Sequence, residues 1–237
     1  MTDTAWGAGL TAVFFYKRLS ITNVTFLVPD VNSSLVTGNV LSAVYASPIW
    51  RWISFERTLG IAYHYVTSDL RNYEDTVTKG GVSATAHFDR FLVNNHIIEP
   101  YVRMGVRFHI PIQHWYVTAH AGYLLEAVRV DVSSPGGSVY IPQPINDTKT
   151  IPPLKVHHWT YYERVQVGGS LFMDFHYGLQ LRIMADYDVT YSKFSIRAMG
   201  AAFFSRRIPV GLTVYFEYSQ GIVHDNLFIF FGPAYMF

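Results

Sequence analysis

The chain has 237 residues, a length that suits one large all-β domain or two small ones. Half of its residues are hydrophobic and 15% are charged, which excludes a disordered chain, and 18 Lys and Arg against 17 Asp and Glu exclude the basic excess of a nucleic-acid-binding protein. It contains no cysteine, and therefore neither a disulfide framework nor a thiolate metal site.

Apolar residues alternate with polar or small residues through most of the chain, and this period of two predicts β-strands. The sequence contains no run of about 18 apolar residues, so it predicts no transmembrane helix. No linker or repeat divides the sequence, so we interpret residues 1–237 as one domain. The predicted strands are 6–16, 38–47, 55–65, 82–89, 98–110, 115–125, 159–174, 179–188, 194–202, 212–219 and 227–237.

The segments between these strands differ in length and composition. Residues 18–37 and 68–79 are polar and are predicted to be long loops, and residues 133–155 are rich in Ser, Pro and Gly. Residues 92–97 are predicted to turn, and short turns are predicted at 48–51, 175–178 and 205–208. The alternation loses its phase near Glu126, which indicates either a bulge or a tight turn. We predict twelve strands, or ten if the slip is not a turn.

The last twelve residues, NLFIFFGPAYMF, form the most apolar strand and end on Phe237, with Tyr235 two residues earlier. This ending resembles the closing strand of Gram-negative outer-membrane β-barrels. The resemblance implies an all-β, closed, antiparallel, up-and-down transmembrane barrel, in which the last strand pairs with the first. Pro233 cannot donate a ladder hydrogen bond, so we expect this seam to be weakened or bulged there.

Membership of that class would place the protein in the bacterial outer membrane, with the lipid bilayer and lipopolysaccharide as its surroundings. It would also make the C-terminal strand the segment that the barrel-assembly machinery recognises. The start of the sequence lacks the basic and apolar regions of a signal peptide, so we expect that the signal has been removed. No nucleic acid partner and no cofactor are expected, and the oligomeric state is left open.

Three features favour a membrane barrel over a soluble one. Several strands exceed the usual length of about 5–6 residues, and the polar faces lack the lysines of a solvated surface. Aromatic residues gather at strand ends, as they do at membrane interfaces. The aromatic residues predicted to lie at the interfaces are Trp6, Trp50, Trp52, Trp115, Trp159, Tyr235 and Phe237.

If the apolar faces meet lipid, the charged residues point into the lumen. The residues predicted to line it are Glu56, His64, His87, Asp89, Arg103, Arg107, His109, His120, Arg164, Arg182, Asp186, Asp188, Arg197 and Glu217. One interpretation is a network of paired charges that fills a narrow lumen. The other is a small pore whose arginines guide anionic solutes.

Two further hypotheses remain open. The first is an outer-membrane hydrolase, for which the candidate catalytic residues are Asp174, His176, Asp186 and Asp188, each pair being two residues apart. No nucleophile elbow or metal-ligand spacing accompanies them, and no metal site is predicted. The second is a soluble β-barrel that binds an apolar ligand inside.

Overall fold

The computed structural model describes residues 2–29, 34–79, 82–111, 114–142, 147–175, 178–205, 208–220 and 225–236, and the regular elements in these ranges are all β-strands. Strands β1 to β13 are, in order, Thr2–Tyr16, Leu19–Pro29, Ser34–Trp50, Ile53–Lys79, Val82–Ile110, Trp115–Ser134, Gly137–Ile141, Asp147–Ile151, Leu154–Phe175, Leu179–Asp188, Lys193–Ser205, Ile208–Gln220 and Asp225–Met236. Among these residues, no helix is long and apolar enough to cross a membrane.

Eleven of these strands form a closed ring, and β7 and β8 lie outside it. Neighbouring strands are antiparallel from β1 to β6 and from β9 to β13, and β6 pairs directly with β9. The ring closes between β1 and β13, which are parallel because an odd number of alternating strands brings the last one back to the direction of the first. The predicted closed barrel is confirmed, with eleven strands in the ring where twelve or ten were predicted.

The prediction of a loop over residues 18–37 is wrong for residues 19–29, which form β2, and for residues 34–37, which belong to β3. The inner face of β2 carries Val24, Phe26 and Val28, whereas Asn23 and Thr25 interrupt the apolar residues on its outer face. These two polar residues hid the alternation by which the other strands were predicted.

The loop predicted over residues 68–79 and the turn predicted over residues 92–97 are also wrong. Both segments belong to continuous strands, since β4 has 27 residues and β5 has 29. Their paired ends extend past the ring, because β3 ends where Ser34 pairs with Ser68. Strands β7 and β8, which lie in the segment predicted to be irregular, add to the far end of β5. We call this four-stranded projection the extension.

The loss of phase near Glu126 is neither a bulge nor a turn, because β6 keeps one register with β5 and with β9 through this point. The two faces of β6 instead exchange their polarity. The outer face is apolar from Val117 to Ala127 and then continues with Arg129 and Asp131, whereas the inner face turns apolar from Val128 onward.

Within the ring, the outer face is largely apolar, with Arg57 on β4 as an exposed exception, and the inner face of β4 to β12 is polar. On β4, Leu59 is 67% exposed on the outer face, whereas Glu56 on the inner face is 6% exposed. The same contrast separates Met104, which is exposed on β5, from Asp186, which is buried on β10. The polar inner positions therefore surround a lumen, and the largest exposed side chains lie on the outside.

The ladder between β1 and β13 is interrupted at the predicted place. Ala8 pairs with Phe231 and Thr11 with Ala234, but no pairing joins Gly9 and Leu10 to Gly232 and Pro233. The register is the same on both sides of the gap, so the seam is weakened but not bulged. The parallel direction of the seam could not be predicted without the strand count.

The two ends of the barrel differ in their connections. The strand ends that flank the predicted turns at 175–178 and 205–208 lie at one end of the barrel. The turn predicted at 48–51, which the structure places at residues 51–52, lies at the same end, which we call the short-turn rim. The extension projects from the other end, which we call the extension rim. Since β1 and β13 run in the same direction, β1 starts at the extension rim and β13 ends at the short-turn rim.

Candidate functional site

The lumen has one apolar wall and one charged wall. On β1 to β3 it is lined by small and apolar residues, among which Phe26 and Val28 are buried. Gly38 on β3 leaves the space that the Phe26 ring occupies, and this ring reaches His64 on β4 with 5.6 Å between the centroids. The charged side chains come from β4 to β12 and lie on the opposite wall.

Asp186 is the centre of the charged wall. Its side chain is 1% exposed and contacts three basic side chains from three strands. His120 Nε2 lies 2.6 Å from Oδ1, Arg103 donates to Oδ2 over 3.4 Å, and Arg197 also donates to Oδ2. Since neither β5 nor β6 is a neighbour of β10, Arg103 and His120 reach Asp186 across the inside of the wall.

Glycines make room for these contacts. Gly105, His120, Gly168 and Asp186 lie in one register row across β5, β6, β9 and β10. A Cβ on Gly168 would collide with the Asp186 side chain and with the backbone of β10. The His120 ring can therefore pass over Gly168 to Asp186. In the next row, Gly122 makes the same space beside Arg103.

A second group lies toward the extension rim. Arg164 bridges two carboxylates, with Nε 2.5 Å from Asp188 Oδ2 and Nη1 2.9 Å from Glu126 Oε2. Asp188 also accepts hydrogen bonds from the backbone N–H groups of Thr190 and Tyr191, and so holds the turn after β10.

Further pairs occupy both ends of the charged wall. His64 Nε2 lies 3.1 Å from Glu99 Oε2, and Glu217 accepts a hydrogen bond of 2.6 Å from the Tyr215 hydroxyl. Toward the short-turn rim, Arg107 Nε donates to Glu56 over 2.9 Å. In the same region, Ser54 and His109 are hydrogen-bonded at 2.9 Å.

Arg182 differs from the other lumen arginines. Arg103, Arg107, Arg164 and Arg197 each contact a carboxylate, whereas the described residues offer Arg182 no carboxylate within 4.0 Å. Its buried Nε, like those of Arg103 and Arg197, has no hydrogen-bond partner among these residues. Four of the five arginines of the predicted anion ladder are therefore neutralised by neighbours, which leaves little free positive charge for a solute.

Two predicted lumen residues lie elsewhere. His87 and Asp89 are on the part of β5 that belongs to the extension, where His87 Nδ1 lies 3.2 Å from Glu74. Asp89 is 85% exposed at its side chain. The alternation of polar and apolar residues along this part of β5 was predicted correctly, but the sequence did not show where the ring ends.

The four catalytic candidates do not form a common site in the described structure. Asp186 and Asp188 bind different arginines, and no hydrogen bond between them is found among the described residues. Asp174 pairs with Gln180 near the short-turn rim, and His176 lies outside the described residues. In the part of the chain that the structure describes, no group of three or more His, Asp and Glu is arranged to hold a metal ion.

The predicted interface aromatics that can be placed lie at both ends of the apolar outer face. Trp50, Trp52 and Trp115 lie at the short-turn rim, and Trp159 stacks on Tyr161 near the extension, with 6.2 Å between the centroids. The side chains of Trp6 and Tyr235, and all of Phe237, lie outside what the structure describes.

The sequence missed several members of the charged wall. Glu99, Glu126 and Gln166 contact His64, Arg164 and Arg103 respectively. Glu99 has the same parity as Arg103 and Arg107, so extending the alternation through Pro100 would have found it. Glu126 lies where the outer and inner faces exchange polarity, which concealed its side.

Taken together, these side-chain contacts hold the strands of the charged wall to one another. Asp186, Asp188 and Glu126 each contact a basic side chain of another strand, and the opposite charges neutralise one another inside the barrel. No protein-family model matches the chain, and no curated protein matches it either. Its function therefore has to be argued from this geometry.

Proposed function

We propose that the protein is a membrane-spanning β-barrel of the bacterial outer membrane, which acts as a surface scaffold rather than as an open pore. The observation that carries the proposal is the exchange of polarity along continuous strands. On β5, Ile98 and Met104 lie on the outer face, whereas His96 and Asn94 follow on the same face toward the extension. Strands β4 and β6 change in the same way, which fits strands that leave lipid for water.

The length of the apolar face supports the membrane assignment. The apolar outer face covers thirteen residues on β5, from Ile98 to Ile110, and thirteen on β6, from Trp115 to Ala127. At about 3.4 Å per residue and a tilt of about 45°, these segments span roughly 30 Å, the thickness of a hydrocarbon core. A soluble barrel would have its apolar residues inside and its charges outside, the reverse of this arrangement.

A belt of aromatic and basic residues marks the end of the apolar face. Tyr63 and Tyr65 contact His96, whose ring lies 4.9 Å from that of Tyr65. Arg129 lies 6.0 Å from the Trp159 ring. Aromatic rings with basic neighbours suit the headgroup level of a bilayer, where lipopolysaccharide phosphates would lie.

The paired charges of the lumen and the extension support the scaffold role. The contacts of Asp186 run along the inside of the lumen wall, and most charged side chains of the lumen are held in pairs. Paired charges suit a barrel that resists ion flow. The extension then presents β4, β5, β7 and β8 to the outside, where a partner could pair with an edge strand. The C-terminal strand remains the expected contact for the barrel-assembly machinery.

Refolding into liposomes tests the proposal. We expect the protein to float with the vesicles and to migrate anomalously on gels when unheated, and to give no stepwise conductance in planar bilayers. Arg71→Ala, on the exposed extension, serves as the control variant and should leave both results unchanged. Monodisperse protein in detergent-free buffer would overturn the membrane assignment, and ion-selective conductance steps would replace the scaffold with a pore.

A further inference from the structure

An uncharged polar patch interrupts the apolar outer face on β2 and β3. It consists of Asn23 and Thr25 on β2 and of Thr37 and Asn39 on β3, all of which point outward by strand parity. Asn23 and Thr25 lie in the middle of β2, which has 11 residues. The patch is therefore distant from both ends of that strand.

The surroundings of the patch are large and apolar. Leu10 pairs with Thr25, Leu41 with Asn23 and Tyr63 with Asn39, and each of these three neighbours is at least 40% exposed. Ala8 and Ala12 on the outer face of β1 are small, so another surface can approach the wall closely beside the ring of large residues.

The two amides are bonded to each other. Asn23 Nδ2 donates to Asn39 Oδ1 over 3.2 Å, and Asn39 Nδ2 donates to Asn23 Oδ1 over 3.4 Å and to Thr25 Oγ1 over 2.7 Å. Each amide nitrogen carries two protons, so among the described residues one N–H of Asn23 has no acceptor. Acyl chains offer none, and polar groups facing lipid usually mark a protein contact.

From this patch we infer that the outer face of β2 and β3 binds a second copy of this chain. The inference rests on the proposed membrane insertion. The occupant must offer donors and acceptors without charge at this depth, which excludes lipid tails and headgroups. An identical patch meets the requirement, because amides and hydroxyls both donate and accept, and a two-fold axis would set each patch against its copy.

The absence of cysteine from the chain allows a direct test. Single cysteines are introduced at Leu41, beside the patch, and, as the matched control, at Ile183 on the outer face of β10; these residues are 42% and 38% exposed. Each variant is reconstituted at a high ratio of lipid to protein and oxidised. We expect a disulfide-linked dimer with Leu41→Cys at least ten times more abundant than with Ile183→Cys.

The combined substitutions Asn23→Leu and Asn39→Leu, added to Leu41→Cys, should reduce that dimer at least tenfold. Both leucines suit a lipid-facing strand, and the gel mobility of unheated samples reports whether the barrel has formed. Equal cross-linking at both cysteines would overturn the proposed dimer interface. A disulfide-linked dimer that persists after the double substitution in a folded barrel would overturn it as well. Failure of every variant and of the parent to float with vesicles overturns membrane insertion instead, so the two failures are distinguishable.

Discussion

Asp186 is the residue on which the largest number of charged contacts in the lumen converge. Its carboxylate holds His120, Arg103 and Arg197, and all three contacts depend on its negative charge. Removing one partner of a buried ion pair leaves the other charges without compensation, which is more costly than removing the whole group. The sequence predicted each of these residues for the lumen but could not predict that they converge.

We predict that Asp186→Asn destabilises the barrel by about 3–5 kcal/mol, because the arginines then face an uncharged amide in a buried place. The control is Asp89→Asn, whose side chain is 85% exposed and whose loss should change the stability by no more than about 0.5 kcal/mol. Urea unfolding of the refolded protein in detergent measures both. Similar midpoints for the two variants would contradict the central role of Asp186.

Glycines allow large side chains to cross neighbouring strands, and Gly60 is a further case. The Tyr101 ring lies where a Cβ on Gly60 would be placed, so Gly60→Ala should displace the ring and cost about 1–3 kcal/mol. Gly200 on β11 is the matched control, because no atom lies within 4 Å of its Cβ position. Gly200→Ala should be neutral or stabilise by up to about 1 kcal/mol. Equal losses in the same unfolding assay would refute the packing argument.

At the scale of the strands, the sequence predicted those with an apolar outer face and missed those without one. Strands β10 and β12 were placed within a few residues because their alternation is unbroken. Strand β2 was missed because Asn23 and Thr25 break the pattern. Residues 68–79 of β4 were taken for a loop and residues 92–97 of β5 for a turn, because polar side chains lie on the outer face there, as on a soluble sheet.

The extension carries a charge pair whose response to pH can be predicted. Arg90 donates two hydrogen bonds to Asp69, of 2.8 and 3.1 Å, and these bonds lower the pKa of Asp69. A carboxylate with a lowered pKa stabilises the folded state above its unfolded pKa of about 3.9, and this contribution is lost as the pH falls through the lower folded value. The base of the extension should therefore loosen below about pH 4.

Hydrogen exchange measured by mass spectrometry tests this prediction. Peptides that contain Asp69 and Arg90 should lose protection below about pH 4, relative to their intrinsic exchange rates. Arg90→Gln should show the low-pH exchange already at neutral pH. Arg71→Gln is the control, because Arg71 is 4.0 Å from Asp69 and largely exposed. Unchanged protection of the parent at pH 3 would show that the pair does not hold this segment.

At the scale of the whole molecule, the closed barrel was predictable from alternation, but its strand number was not. The loop predicted over residues 18–37 contains β2, whereas the strands predicted over residues 82–89 and 98–110 both belong to β5. The first difference raises the number of strands and the second lowers it.

An odd number of strands in the ring has a consequence for topology. The start of β1 and the end of β13 lie at opposite rims, and the start of β1 shares the rim of the extension.

We predict that tags joined before Thr2 and after the last strand are cleaved by protease from opposite sides of a sealed membrane. In vesicles whose extension faces outward, only the tag at β1 should be removed, and both should be removed once detergent opens the vesicles. Loss of both tags from intact vesicles would contradict the parallel pairing of β1 with β13.

The seam between β1 and β13 also determines how the chain must fold. Its partners are as far apart as Thr2 and Asp225, and closing a loop of that length costs about 5 kcal/mol of chain entropy before any contact compensates it. Parallel pairs are slightly weaker per residue than antiparallel ones, and this ladder has a gap beside Pro233. The seam should therefore close last and slowly. Until it closes, both edge strands can pair with other chains, so the refolding yield should fall as the protein concentration rises.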